Sequence, residues 1–340
     1  MNSLLAPAYT LTLGSQEWRE QLLGLELELA AGPGVDLLTL RLPAQAPLSA
    51  ALGDPVQLVL ASGEKEATVF TGTVEAIGRR ADEIAVRALD AAGVMARLRP
   101  AATYEKVTAG TVIRNLAGEA GAEVGEVAEG VELAFYVADP SRTALEHAAR
   151  VAGWSGALLG VSAEGRLEAR VIDASQAEVA LRWGRELLGF ARRERTAPVE
   201  SFVVAGEAGA GSTESPEALR PVADFFGGSR PDGPSLAHRF EFQPALRTTQ
   251  AAATAGAARS RDFRAKADRG WFEAYLQPEL RPGTVVEIQD APEGLLAGPV
   301  WLSRVRHRFG PRGALTRAWF AKGGDRFDPL ALLGALASLF

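Results

Sequence analysis

The sequence predicts a mainly β protein with an α/β insert: two related small antiparallel β-barrels per chain, separated by a two-helix α/β domain. Three observations carry that prediction. Apolar residues alternate with period two in two separate blocks, the stretch between the blocks changes to helical spacing, and the second block repeats a phrase of the first. The 340 residues suffice for two domains and a remainder, at roughly 150 residues per domain. The expected divisions are 1–100 for the first barrel, 101–171 for the α/β domain, 172–324 for the second barrel with a long Gly/Pro-rich loop at 207–234, and 325–340 for an apolar C-terminal tail.

In the first block, Tyr9–Leu13, Leu23–Leu29 and Leu38–Leu42 alternate strictly, and Gly32-Pro33-Gly34 separates the second from the third. Further strands are expected at Pro55–Leu60, Glu66–Gly78 and Glu83–Leu89, joined through Ser62-Gly63 and the charged turn at 79–82. The texture then changes. Thr108 can cap a helix whose apolar residues Ile113, Leu116, Ala117 and Ala120 share one face, with Gly121 as its stop. A second helix is expected from an N-cap at Asp139 with Pro140 in its first position to a stop at Gly153, its stripe formed by Leu145, Ala148, Ala149 and Ala152. A hairpin of Trp154–Val161 and Arg166–Ile172 follows, turning at Ala163-Glu164-Gly165. Strand texture returns at Val179–Trp183, Leu187–Arg195 and Glu200–Gly206, and Phe240 and Phe242 fall on a strand face. Thr249–Asp268 is Ala-rich and helical in propensity, weakened at Gly256 by about 1 kcal/mol relative to Ala. The last strands are expected at Thr284–Gln289, Pro299–Phe309 and Ala314–Ala321. The repeated phrase runs from Gly53-Asp-Pro-Val56 through Gly72-Thr-Val74 to Ile84–Leu89, and again from Gly283-Thr-Val285 through Gly298-Pro-Val300 to Leu315–Phe320.

Composition removes several chemistries. Cysteine is absent, so disulfides, thiolate nucleophiles and sulfur-ligated metal sites are excluded. The three histidines, His147, His238 and His307, are too far apart for any local metal or triad motif. His147 lies off the apolar stripe and reads as a surface residue, and His307 reads as a strand-face or interface residue. The net charge of −6 lacks the basic footprint of a nucleic-acid binder. Four of the 36 basic residues are lysine, an arginine bias that fits a GC-rich genome as well as it fits interface contacts. The N-terminal decapeptide has no basic n-region, and the longest uncharged apolar stretch, Leu330–Phe340, is about half the roughly 20 residues that cross a bilayer. A soluble protein without a membrane anchor is expected. Gly206-Glu-Ala-Gly209-Ala-Gly211 is followed by no GK[ST] helix start and reads as a linker, and Arg192-Arg193-Glu194-Arg195 reads as a solvated or intersubunit strand. No catalytic, cofactor or metal residue is assigned.

The ordered set Gly53-Asp-Pro-Val56, Val69-Phe-Thr-Gly-Thr-Val74, Ala88-Leu-Asp-Ala91, Thr108–Ile113, Ala144–Gly153 before Trp154, Leu280-Arg-Pro-Gly283 and Val305-Arg-His307 resembles the late control protein D and baseplate-hub family of contractile phage tails, which also includes the hub part of type VI secretion spike proteins. The resemblance spans about residues 5–322. It implies a homotrimer in which each chain lends two barrels to a ring of six, an adapter between a sixfold tail tube and a threefold spike. The implied partners are further copies of the chain, the tube protein, a separate spike protein, other baseplate components, and DNA or an effector passing through the lumen. The implied location is a virion tail baseplate or injection particle assembled in the bacterial cytoplasm. The chain ends about 20 residues after its last expected strand, where the type VI spike proteins continue into a needle. Leu330, Leu332, Leu333, Leu336, Leu339 and Phe340 of the tail are the candidate spike or baseplate contact, with folding back onto their own domain as the alternative. Their burial is worth roughly 9–18 kcal/mol before ordering costs. A carbohydrate-binding or wall-hydrolysing tail-tip protein is the second reading of the chain, and a channel component past which DNA slides is the third.

Overall fold

The alternating segments of the first block become strands with one face in an apolar core. The computed structural model describes residues 6–195, 201–206, 238–292, 298–311 and 313–322, so the 207–234 loop, most of the 206–211 glycine run and the 325–340 tail lie outside the described residues. The first block forms β1 (Pro7–Leu13), β2 (Gln16–Trp18), β3 (Gly24–Ala30), β4 (Leu37–Pro43), β5 (Pro55–Ser62), β6 (Lys65–Arg79) and β7 (Glu83–Leu89). Leu11, Leu13, Leu25, Leu27, Leu29, Leu38, Leu40 and Leu42 point inward and are buried. Within this block only the short β2, folded back along β1, has no counterpart in the expected strands.

The middle of the chain forms α1 (Ala92–Met95), β8 (Ala102–Thr108), α2 (Ala109–Ala120), β9 (Val124–Val127), β10 (Glu132–Ala138), α3 (Ala144–Trp154), β11 (Leu158–Val161) and β12 (Leu167–Arg170). Helix α2 starts and stops as its sequence dictates. The Thr108 hydroxyl accepts the Thr111 N–H at 3.1 Å, and Gly121 takes the left-handed conformation that glycine adopts without cost. Helix α3 corrects the expected boundaries. Its N-cap is Thr143, in a reciprocal capping box with Glu146, and it runs through Gly153 to Trp154, so Trp154 belongs to the helix and not to the hairpin. Asp139 instead holds a turn ahead of the helix, accepting the Ser141 N–H at 3.0 Å. His147 is also corrected. It is fully buried, its Nδ1 accepting the Tyr136 hydroxyl at 2.7 Å and its Nε2–H donating to the Asp139 carbonyl at 2.9 Å. A histidine with both ring nitrogens satisfied can sit inside a helix packed on a wide face.

The rest of the chain forms β13 (Val179–Arg182), β14 (Leu187–Glu194), β15 (Ser201–Ala205), β16 (His238–Phe242), α4 (Thr249–Ala267), β17 (Asp268–Tyr275), β18 (Val285–Gln289), β19 (Val300–Gly310) and β20 (Gly313–Lys322). Strands β15 and β16 pair in parallel, and Phe242 faces outward. Val204, Leu246, Ala251 and Ala255 join the apolar core around α2 and α3.

One thirteen-stranded sheet carries both strand blocks, in the order β14-β17-β20-β19-β3-β4-β7-β6-β5-β1-β2, with β18 also on β19 and β13 on β18. The two blocks repeat one ladder. β3, β4, β7, β6 and β5 follow each other as β14, β17, β20, β19 and β18 do, while the last neighbour differs: β1 lies antiparallel to β5 and β13 parallel to β18. The match extends to single hydrogen bonds. Gly53 N–H donates to Val74 O and Val74 N–H to Asp54 O, both at 2.9 Å; Gly283 N–H donates to Leu302 O at 2.7 Å and Leu302 N–H to Thr284 O at 2.9 Å. A bulge follows at once in each, between Val74 and Ala76 and between Leu302 and Arg304. Val56 therefore lies opposite Gly72 as Val286 lies opposite Val300. The counterpart of Gly72 is Val300 and not Gly298, a two-residue correction to the repeated phrase. A shift of two keeps every side chain on its face, so alternation alone cannot detect it.

Gly72 and Gly78 lie on the same strand in opposite situations. A Cβ at Gly72 would stand 2.2 Å from the Leu89 carbonyl oxygen, whereas at Gly78 the nearest atom, Ala85 O, is 3.9 Å away. Gly72→Ala is expected to lose about 1–3 kcal/mol in urea unfolding, and Gly78→Ala to stay within about 0.5 kcal/mol of the parent.

Candidate functional site

Of the side chains singled out from the sequence, the six tail residues lie outside the described residues. His307 is on an inward face of β19 and is fully buried. Its Nε2–H donates to Leu280 O at 3.2 Å and its Nδ1 accepts the Thr316 hydroxyl at 3.0 Å, which in turn accepts the Gln277 N–H. That places it inside the sheet packing, on the strand face expected for it. Arg192 of the basic run makes a two-pronged ion pair with Asp268, both contacts at 2.7 Å, while Arg193, Glu194 and Arg195 face solvent.

The arrangement that joins the two strand blocks is the flank of β19. Val300 and Trp301 pair with β18, the strand bulges at Ser303, and from Arg304 to Phe309 the same flank pairs with β3, 276 positions away at Arg304 and Glu28. Inward, Val305 and His307 pack with Leu25, Leu27 and Leu29. Outward, Arg304 and Arg306 pair with Glu28, and Arg306 and Arg308 reach Glu26 at 3.5 and 3.3 Å. Burial opposes the charge on Glu28, but the hydrogen bonds and charges of Arg304 and Arg306 outweigh it and hold the carboxyl below its usual range. Next to this zipper lies a shallow cleft of about 400 Å³, walled by Trp271, Trp301 and Trp319 with Arg192, Arg193 and Arg269. Arg304 and Arg306 lie over the Trp319 ring at 4.9 and 5.7 Å, and Arg317 over Trp271 at 4.2 Å. Arginine and tryptophan are the residue types that dominate protein–protein contacts. Nothing in the composition announces this face, because its members come from four strands.

A second cluster ties the units together. Asp36 and Asp90 meet where the β4–β7 ladder ends, both buried, with Asp36 accepting the Ala30 N–H at 2.8 Å and Asp90 the Ala92 N–H at 3.0 Å. Arg281 comes from the loop before β18 and donates to Val69 O at 3.1 Å and Val161 O at 2.8 Å, joining β6 to β11. Burial pushes both carboxyl pKa values up, and the Asp36 charge raises that of Asp90 further; hydrogen bonds to both groups and, at Asp36, the charge of Arg281 pull the other way. The corresponding ladder position in the second block holds Asp268 and Lys322, an ordinary opposite-charge pair at 3.9 Å.

This pair gives the fold a defined pH response. The native carboxyls keep protons that an unfolded chain, with carboxyl pKa values near 4, has already released. Their contribution therefore falls as pH rises from about 4 through their folded-state values. His307, lowered to about 4 by burial first and then by Arg281, acts in the opposite sense between pH 4 and 6.5 and is neutral in both states above that. Of these three groups only the carboxyls still respond well above pH 6.5. Asp90→Asn, which keeps the acceptor for Ala92, is expected to be more stable than the parent at pH 8 and to lose less stability between pH 6.5 and 8. Urea unfolding at fixed ionic strength checks it, and equal slopes would overturn this account of the raised carboxyl pKa values.

No protein-family model matches the chain, and no curated protein matches it. Solved structures do. The 43 kDa tail protein of prophage MuSo2 from Shewanella oneidensis superposes with a TM-score of 0.64 at 14% identity, over 93% of this chain and 98% of that one. A tail protein from Neisseria meningitidis MC58 gives 0.69 at 14% identity, over 93% and 96%. The c3393 protein of E. coli, a type VI secretion component described as similar to the T4 bacteriophage tail proteins gp27 and gp5, gives 0.61 at 11% identity, over 93% and 78%. At such identities the likeness is one of fold, and the fold of this chain is that of phage tail proteins and of a type VI secretion component.

Proposed function

We propose that this protein is a structural baseplate hub of a contractile phage tail or a tail-derived injection system, acting by shape and contact and not by catalysis. The observation that carries the reading is the duplicated ladder. Each chain holds two blocks with the same strand order and the same bulge, and three such chains present six similar blocks toward a sixfold tube and three identical surfaces toward a threefold spike. The likeness to tail proteins along nearly the whole chain supports the same reading. On this account each block behaves as one barrel of the ring, the tube protein, spike and other baseplate components are the partners, and DNA or an effector crosses the lumen. The apolar tail with Leu330, Leu332, Leu333, Leu336, Leu339 and Phe340 is the segment assigned to the spike or a neighbouring baseplate protein.

A particle map is expected to show three copies at the tube–spike junction; one copy or six would overturn the adapter. Deleting residues 328–340 is expected to leave the trimer intact in light scattering and to abolish spike attachment in assembled particles. Normal attachment would return the tail to its own domain. Purified protein is expected to leave peptidoglycan uncut, and release of soluble fragments would favour the wall-hydrolysing reading.

A further inference from the structure

The duplication leaves two strand flanks open that are counterparts of a flank pair already closed within the chain. In the second block, β18 occupies the first part of one flank of β19, and after the bulge at Ser303 that flank passes to β3. In the first block, β5 occupies residues 65–73 of β6, and the bulge follows at Glu75. From Ala76 to Arg79 that flank carries no strand among the described residues, and Ala76, Gly78 and Arg79 are exposed. The counterpart of β3 is β14, which ends the sheet order and pairs only with β17 among the named strands. Each chain thus joins β19 of its second block to β3 of its first, and offers the matching halves of one more such joint, β6 and β14.

We infer that β14 of a second copy of this chain pairs antiparallel with the end of β6, in the register that β3 keeps on β19. Transferring that register sets Ala76 opposite Arg195, Ile77 opposite Glu194, Gly78 opposite Arg193 and Arg79 opposite Arg192 of the neighbouring copy. The charges are compatible with it: Glu75, which pairs with Arg97 within the chain, lies beside Arg195, Arg79 lies diagonal to Glu194 on the same face, and the charge of Arg192 is already met by Asp268 and Glu194. Open strand flanks pair with other chains unless something covers them, and a contact between two different surfaces propagates into a ring or a filament. The pairing deepens the hub reading and rests on it only for closure at three copies.

The chain lacks cysteine, so two introduced thiols would be its only ones. Gly78 has room for a side chain and Arg193 is exposed, which makes Gly78→Cys with Arg193→Cys a mild double substitution. Mild oxidation is expected to put more than half of the chains into covalent species ending at the trimer on a non-reducing gel, reversed by reductant. The control pair Arg80→Cys with Arg195→Cys is four residues out of register, about 13 Å, beyond disulfide reach, and is expected to stay monomeric on the same gel. A trimer by light scattering with no more cross-linking than the control overturns the strand pairing and leaves the hub reading standing. A ladder continuing past three copies upholds the pairing and overturns closure at three. A monomer without cross-links at the highest soluble concentration overturns both.

Discussion

A β-strand with an unsatisfied flank must find another strand, and the β3–β19 ladder is where this chain meets that requirement. It turns two separate strand blocks into one sheet and lets their inward faces share one core, from Leu25, Leu27 and Leu29 to Val305, Phe272 and Phe320. The ion pairs outside the ladder add little energy each, since exposed pairs contribute about 0–1 kcal/mol. Their effect is on register. Glu26 and Glu28 meet three arginines at successive outward positions of β19, and sliding β3 along it would leave charges without partners. Backbone pairing and apolar burial supply the attachment, and the charges select one alignment of it.

The buried joint at Asp36, Asp90 and Arg281 solves another problem, that of fixing the α/β unit on the sheet. Arg281 donates to Val69 O at the bulge of β6 and to Val161 O at the end of β11, and the Thr71 hydroxyl donates to Ala163 O in the following turn at 2.7 Å, so carbonyls from both units gain donors across the interface. Comparison with Asp268 and Lys322 is instructive because the backbone position is the same. At the solvent-facing copy opposite charges suffice. At the covered copy a second carboxyl stands where the lysine would be, and burial raises the pKa of both carboxyls, which favours a proton in place of the missing positive charge.

Most strands were legible in the sequence because their alternation is strict and their turns carry glycine. The strands left unread fail for local reasons. In β8, Thr103, Glu105 and Lys106 interrupt any apolar face, and β17 follows α4 with no turn residue to separate the two. The α3 cap was written in Thr143-x-x-Glu146, but the Asp139-Pro140 pair is the more familiar helix start. Asp90 and Arg281 stand inside motifs that carry the family resemblance, yet their roles depend on being brought together with Asp36 from distant segments. The open flanks of β6 and β14 have no sequence signature at all. Whether a strand has a neighbour is a property of the sheet, and it became visible only when both blocks could be laid on one ladder.

The separation between β3 and β19 also has a meaning in time. A ribosome that has finished β3 must add some 270 residues before Arg304 emerges, roughly 15–55 s at 5–20 residues per second. For that interval β3 is an uncovered edge on a nascent chain, beside other nascent chains carrying the same edge. Glu26 and Glu28 make two such edges repel each other, whereas β19 presents arginines. The carboxylates that align the finished sheet also guard the unfinished one.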